Sequence, residues 1–89
     1  MKSYRWIIKG KVQGVGYRNS CAKKAVGLGL LGTVRNLSTG EVQVDVEGPQ
    51  ELIANLKAWC KKGPLFAVVD TIEETELEAR GFREFLIVR

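Results

Sequence analysis

An α+β sandwich, with two helices on one face of a mainly antiparallel sheet, is the fold class this sequence predicts. Three observations carry that reading. Apolar residues alternate with polar ones in the stretches beginning at Tyr4 and Glu41. Apolar residues recur at helical spacing after Gly16 and after Pro49. Short connections bearing glycine or proline separate these stretches. A chain of 89 residues has room for one such core, so residues 1–89 are expected to form a single domain.

Tyr4, Trp6 and Ile8 alternate with Arg5 and Lys9, which predicts a half-buried strand running to about Val12. A glycine loop follows. A short helix is then expected over Asn19 to Val26, with Cys21, Ala22, Ala25 and Val26 inward and Lys23 and Lys24 outward; Gly27 and Gly29 stop it. Leu30 to Asn36 reads as the second strand, and Leu37-Ser38-Thr39-Gly40 as the turn of a hairpin. In the third strand Val42, Val44 and Val46 point one way, and Glu41, Gln43, Asp45 and Glu47 the other.

Gly48-Pro49-Gln50-Glu51 opens the second helix, with proline in its first turn and an acid where the helix dipole favours one. Its apolar face is Leu52, Ile53, Leu56, Trp59 and Cys60, and Lys61-Lys62-Gly63-Pro64 ends it. A fourth strand is expected from Phe66 to about Glu73 and a short fifth from Phe85 to Arg89. The order β-α-β-β-α-β is that of the split βαβ, or ferredoxin-like, sandwich, with the C-terminal strand an addition. The alternation of the third strand predicts a sheet wet on one side.

Composition narrows the chemistry. Hydrophobic residues make up 45%, enough for a packed core rather than disorder. The net charge of +4 is scattered along the chain, which suits anion steering better than a nucleic-acid tail. No histidine is present, so imidazole base catalysis and phosphohistidine chemistry are excluded. Cys21 and Cys60 cannot make a four-ligand metal site between them, and neither starts a Cys-x5-Arg loop, because Gly27 and Phe66 stand at the arginine positions. Neither a metal nor a cofactor is expected. The N-terminal stretch has only three consecutive apolar residues, and nothing approaches a membrane span; a cytoplasmic protein with reduced thiols is the expectation. Both cysteines fall on inward helix faces, so buried free thiols are expected rather than a disulfide.

Lys11-Val12-Gln13-Gly14-Val15-Gly16-Tyr17-Arg18 carries the clearest functional signal. Two glycines one residue apart let successive N–H groups turn inward as a cradle for an anion. The helix that follows adds free N–H groups and a partial positive charge. Arg18 brings a planar fork matched to phosphate oxygens. Taken alone, Gly-x-Gly before a helix is ordinarily a tight turn. The nucleotide P-loop triplet is absent, and Asn19 occupies the position of the third glycine in the dinucleotide fingerprint.

Corroboration comes from a second segment, Gly32-Thr33-Val34-Arg35-Asn36-Leu37, followed by Gly40 and Val42. With Gly10-Lys11-Val12-Gln13-Gly14-Val15-Gly16-Tyr17-Arg18, Gly48-Pro49, Gly63-Pro64 and Phe85-x-Ile87, it makes a chain that resembles the acylphosphatase family over nearly its whole length. The resemblance implies metal-independent hydrolysis of the carboxyl–phosphate bond of small acyl phosphates, with water as nucleophile. It also implies that Arg18 binds phosphate, that Asn36 orients the water, and that Gln13, Gly14, Val15, Gly16, Tyr17 and Arg18 form the phosphate-binding loop. Phosphate or sulfate is expected to occupy that loop. Tyr17 stands where the family usually has Phe, and Ser38-Thr39 replace its usual turn residues, a change that bears on how firmly Asn36 is held.

Other candidates read as structural. Arg5, Lys9 and Arg35 are expected to be solvated strand residues, Trp6 and Trp59 core residues, and Glu73, Glu74, Glu76 and Glu78 a polar edge. Two alternative readings are an RNA-binding ferredoxin-like domain and an acylphosphatase-like module of a carbamoyl-phosphate-processing assembly. Arg80-Gly81-Phe82-Arg83-Glu84-Phe85 is a poor match to an RNA-recognition signature, since Glu84 replaces an aromatic and the third strand has none. With no further segment after Arg89, a free-standing monomeric enzyme is expected, with neither nucleic acid nor membrane as partner.

Overall fold

A computed structural model describes all 89 residues, Met1–Arg89. The elements are β1 (Lys2–Lys11), α1 (Tyr17–Gly27), β2 (Leu31–Asn36), β3 (Val42–Gly48), α2 (Gln50–Lys62), β4 (Val68–Leu77) and β5 (Phe85–Val88). They form one sheet of order β4-β1-β3-β2-β5, antiparallel except for the parallel pair β2 and β5. This is the expected ferredoxin-like sandwich, with the fifth strand added beside β2. Tyr4, Trp6 and Ile8 of β1 and Val42, Val44 and Val46 of β3 share one buried cluster with Cys21 and Ala25 of α1 and Ile53, Leu56 and Cys60 of α2. The same alternating pattern that predicts the strands thus supplies the floor on which both helices rest.

Several boundaries differ from expectation, each for a physical reason. The first helix starts at Tyr17, two residues earlier than Asn19, because Gly16 takes left-handed geometry (φ 76°) and caps it directly. Val26 is 62% exposed rather than inward. It lies a full helical turn beyond Ala22, which is itself at the rim of the buried stripe formed by Tyr17, Cys21, Ala22 and Ala25. The fourth strand runs over Val68–Leu77, because its length is set by pairing with β1 from Lys11↔Val68 to Ser3↔Leu77. Phe66 falls outside it, exposed in a turn closed by Ala67 N–H to the Pro64 carbonyl. Trp59 is only partly buried and tilts against Tyr17, their ring centroids 5.5 Å apart.

The second sheet face is not wet along β3. Asp45 and Glu47 are buried there at 3% and 2% exposure, under the segment that joins β4 to β5. Arg5 grips Asp45 with two bonds of 2.9 and 3.0 Å, and Arg80 binds the same carboxylate from above. Arg5 is therefore an ion-pair partner rather than a merely solvated residue. Glu47 accepts from the Arg80 and Phe82 backbone N–H groups and from Ser3 Oγ. Residues Arg80–Phe82 thus cover the end of the sheet face opposite the helices at Asp45 and Glu47.

This buried charge has a pH consequence. Burial pushes the Asp45 and Glu47 carboxyls up, but the bonds from Arg5 and Arg80, and from the Arg80 and Phe82 amides, outweigh it and hold both below their ordinary values of 3.8 and 4.5. A carboxylate with a depressed folded pKa stabilises the fold above its unfolded pKa and loses that contribution as pH falls through the folded value. The melting temperature is therefore expected to hold steady above about pH 5 and to fall below about pH 4. Circular dichroism melts from pH 7 to pH 3 check this, and Asp45→Asn should flatten the acid limb. A profile unchanged by that substitution would show that the loss arises elsewhere.

Candidate active site

The site sits where β1 gives way to α1. Between Lys9 and Gly10 the β1–β4 register shifts, and Gly10 runs so close to β4 that a Cβ would stand 2.1 Å from the Val68 carbonyl oxygen. Beyond this irregularity the chain leaves the sheet at Val12 and turns through Gln13–Gly16. Gly14 (φ 74°) and Gly16 (φ 76°) both adopt left-handed geometry, which an L side chain reaches only at a cost of about 1–2 kcal/mol. Space is not the constraint, for a Cβ at either would meet nothing within 4 Å. The glycines are there for backbone direction.

That direction leaves donors unspent. The first backbone bond of the segment runs from Ser20 N–H to the Gly16 carbonyl at 3.1 Å, and α1 has no side-chain cap. The preceding N–H groups of the loop and first turn have no partner in the chain, and they collect at the positive end of the α1 dipole. Arg18 stands one position into that turn, half-buried and outside every ion pair of the molecule. Val12, Gln13, Gly14, Gly16, Tyr17, Arg18, Asn19 and Asn36 line a cleft of about 120 Å³. No carboxylate is among them. A small, donor-rich concavity with an uncompensated guanidinium suits a tetrahedral oxyanion.

Asn36 reaches this cleft from the far end of β2, and the sheet explains how. Asn36 pairs with Val42, which in turn pairs with Ile8 of β1, so the hairpin overhangs the loop that β1 feeds. Eighteen positions separate Asn36 from Arg18 along the chain, yet both line one cleft. A neutral amide there can donate and accept hydrogen bonds but cannot serve as a base at neutral pH.

The remaining residues of the expected loop divide by role. Val15 does not line the cleft; its side chain packs against the core. The Tyr17 side chain also turns away, and its hydroxyl donates to the Cys60 carbonyl at 2.7 Å. Burial pushes the Tyr17 hydroxyl pKa up, so it remains a donor, and it ties the first turn of α1 to the end of α2. A Phe at this position would lack that bond. Gln13 lines the cleft, but its side-chain amide is spent on the hairpin, bonding the Leu37 and Glu41 carbonyls. Asn19, absent from the residues expected at the site, also lines the cleft; it stands exposed on the first turn because the helix starts at Tyr17 and not at Asn19 itself.

Cys21 and Cys60 are both buried and free. The Cys21 thiol is pushed well up, first by its hydrogen bond with Cys60 and then by burial, which favours the neutral thiol, and Cys21 does not line the cleft. No helix is long and apolar enough to cross a membrane.

Comparison with known proteins gives a consistent result. The family model described as Acylphosphatase matches residues 4–87. A protein named acylphosphatase from Synechococcus sp. (strain CC9902) is 49% identical over 91% of this chain and 69% of its own length. One from Methylococcus capsulatus (Bath) is 44% identical over the whole of this chain and 98% of its own. Among solved structures, the acylphosphatase from Bacillus subtilis superposes with a TM-score of 0.97 at 36% identity, all of both chains being covered. A domain occupying 12% of full-length HypF has the same shape, with a TM-score of 0.88 at 28% identity.

Proposed function

The chain belongs to the acylphosphatase family, as a hydrolase, and from that premise we propose how its residues act on a small acyl phosphate. The observation that carries the proposal is the convergence of unpaired loop and helix N–H groups, the unpaired Arg18 and the amide of Asn36 on one cleft free of carboxylates. The phosphoryl group lies in the cradle, its oxygens bonded by N–H groups of the loop and by the fork of Arg18. A water held by Asn36 attacks phosphorus on the side opposite the acyl oxygen. The P–O bond to the acyl group breaks, the electron pair leaves with the carboxylate, and the water's proton passes to a phosphoryl oxygen. Products are a carboxylate and inorganic phosphate.

The scarcity of functional groups is consistent with this substrate. An acyl phosphate is a mixed anhydride whose leaving acid has a pKa of roughly 4, so the carboxylate departs without being protonated. Phosphoryl transfer runs through a loose transition state in which placement and charge stabilisation supply most of the acceleration. Fixed donors and one guanidinium meet those needs.

Phosphate release from benzoyl phosphate, run with chelator and against a phosphate monoester control, tests the activity. Hydrolysis of the acyl phosphate alone, unaffected by chelator, is the expected result. In ¹⁸O-labelled water the label should enter phosphate and not benzoate; label in benzoate would place the attack on the carbonyl and remove the role given to Asn36. The HypF domain favours a second reading, in which a domain of this shape serves a larger assembly. Obligate association with another protein for turnover would support it over a free-standing monomer.

A further inference from the structure

Gln13 belongs to the phosphate loop in sequence, yet its side chain leaves the loop and bonds the neighbouring hairpin. We infer that Gln13 is the positioning residue that fixes Asn36 against the phosphate cradle. The inference rests on the roles proposed above for the cradle and for Asn36.

The β1–β3 ladder ends at Ile8↔Val42, so the turn from Leu37 to Glu41 projects beyond the last paired residue of β1. Gln13 is the link that crosses this gap. Its Nε2 donates to the Leu37 carbonyl at 2.8 Å and to the Glu41 carbonyl at 2.9 Å. These two carbonyls frame the mouth of the hairpin immediately after Asn36. Each also accepts one bond inside the hairpin, from Gly40 N–H at 3.1 Å and from Leu37 N–H at 2.8 Å, so both lone pairs of each oxygen are used. With two carbonyls as partners, the amide orientation is fixed, and both N–H bonds of the NH₂ group are committed. Gln13 therefore has no side-chain N–H left for phosphate, and its contribution passes through the hairpin. The other tie between β1 and the turn is Lys9 to Glu41 at 3.5 Å, an exposed cation shared with Glu73 at 3.3 Å. Exposed pairs of this kind hold geometry poorly.

Gln13→Met keeps the length of the side chain and removes both donors. It is expected to lower kcat on benzoyl phosphate by about 10- to 100-fold, the scale of a small misplacement of a catalytic group. Inhibition by inorganic phosphate should change by less than about twofold, because the cradle is untouched, a change smaller than the coupling expected of contacting groups. In an Asn36→Ala background the same substitution should cost less than about twofold, as two residues acting through one function are not additive. Equal losses in both backgrounds, or phosphate inhibition weakening in step with kcat, would overturn the inference in favour of a general structural role or a direct phosphate contact. Asn36→Ala alone distinguishes a failure at Asn36 from a failure at Gln13. If it leaves kcat intact, the proposed role of Asn36 fails and this inference with it; if it lowers kcat while Gln13→Met does not, only the inference fails. Gln13→Ala repeats the cycle should Gln13→Met not fold by circular dichroism.

Discussion

Arg18→Ala is expected to lower kcat/KM for an acyl phosphate by about 10³- to 10⁵-fold, the range seen when an arginine that meets transferring phosphoryl charge is removed. The fold should survive, because the guanidinium makes no ion pair and no hydrogen bond within the chain. Its backbone still caps nothing and still extends α1. Phosphate binding, followed by calorimetry, should weaken with turnover, since the same fork meets product and transition state. Arg18→Lys should recover little: a point charge replaces a planar pair of donors. Turnover close to that of the parent, with unchanged circular dichroism, would remove Arg18 from the chemistry and leave the loop amides as the whole of the site.

Asn36→Ala is the second large effect. A group that only orients the attacking water contributes where the water becomes a nucleophile, so kcat is expected to fall by about 100-fold or more with a smaller change in KM. The substitution removes a half-buried side chain at the end of β2 and leaves its ladder with Val42 intact, so stability should change little. Steady-state kinetics beside thermal melts check both halves. An effect confined to KM would make Asn36 a binding residue, with the cradle alone orienting the water.

Arg18 was legible from its neighbours, because Gly14, Gly16 and a helix start are local features and the unpaired amides follow from them. Asn36 was legible only through the second signature, since nothing local distinguishes it from an ordinary residue before a turn. Gln13 shows the limit of both routes. Its place in the loop is a local feature, whereas its side-chain amide bonds carbonyls 24 and 28 residues away. The acids of β3 mislead in the same way: period-two alternation correctly sorted Asp45 and Glu47 onto the second face, but that face is covered by Arg80–Phe82.

By itself the sequence determined the order of elements, the two-layer arrangement, the glycine loop and the identity of the cation inside it. Each follows from interactions among residues within a few positions of one another, where backbone sterics and apolar periodicity act without reference to the rest of the chain. Tertiary structure alone decided that Asn36 shares the cleft of Arg18, what Gln13 holds, and which polar face is shielded from water. Those outcomes depend on where distant segments land once the sheet has closed, and no local pattern encodes a partner that arrives from another strand.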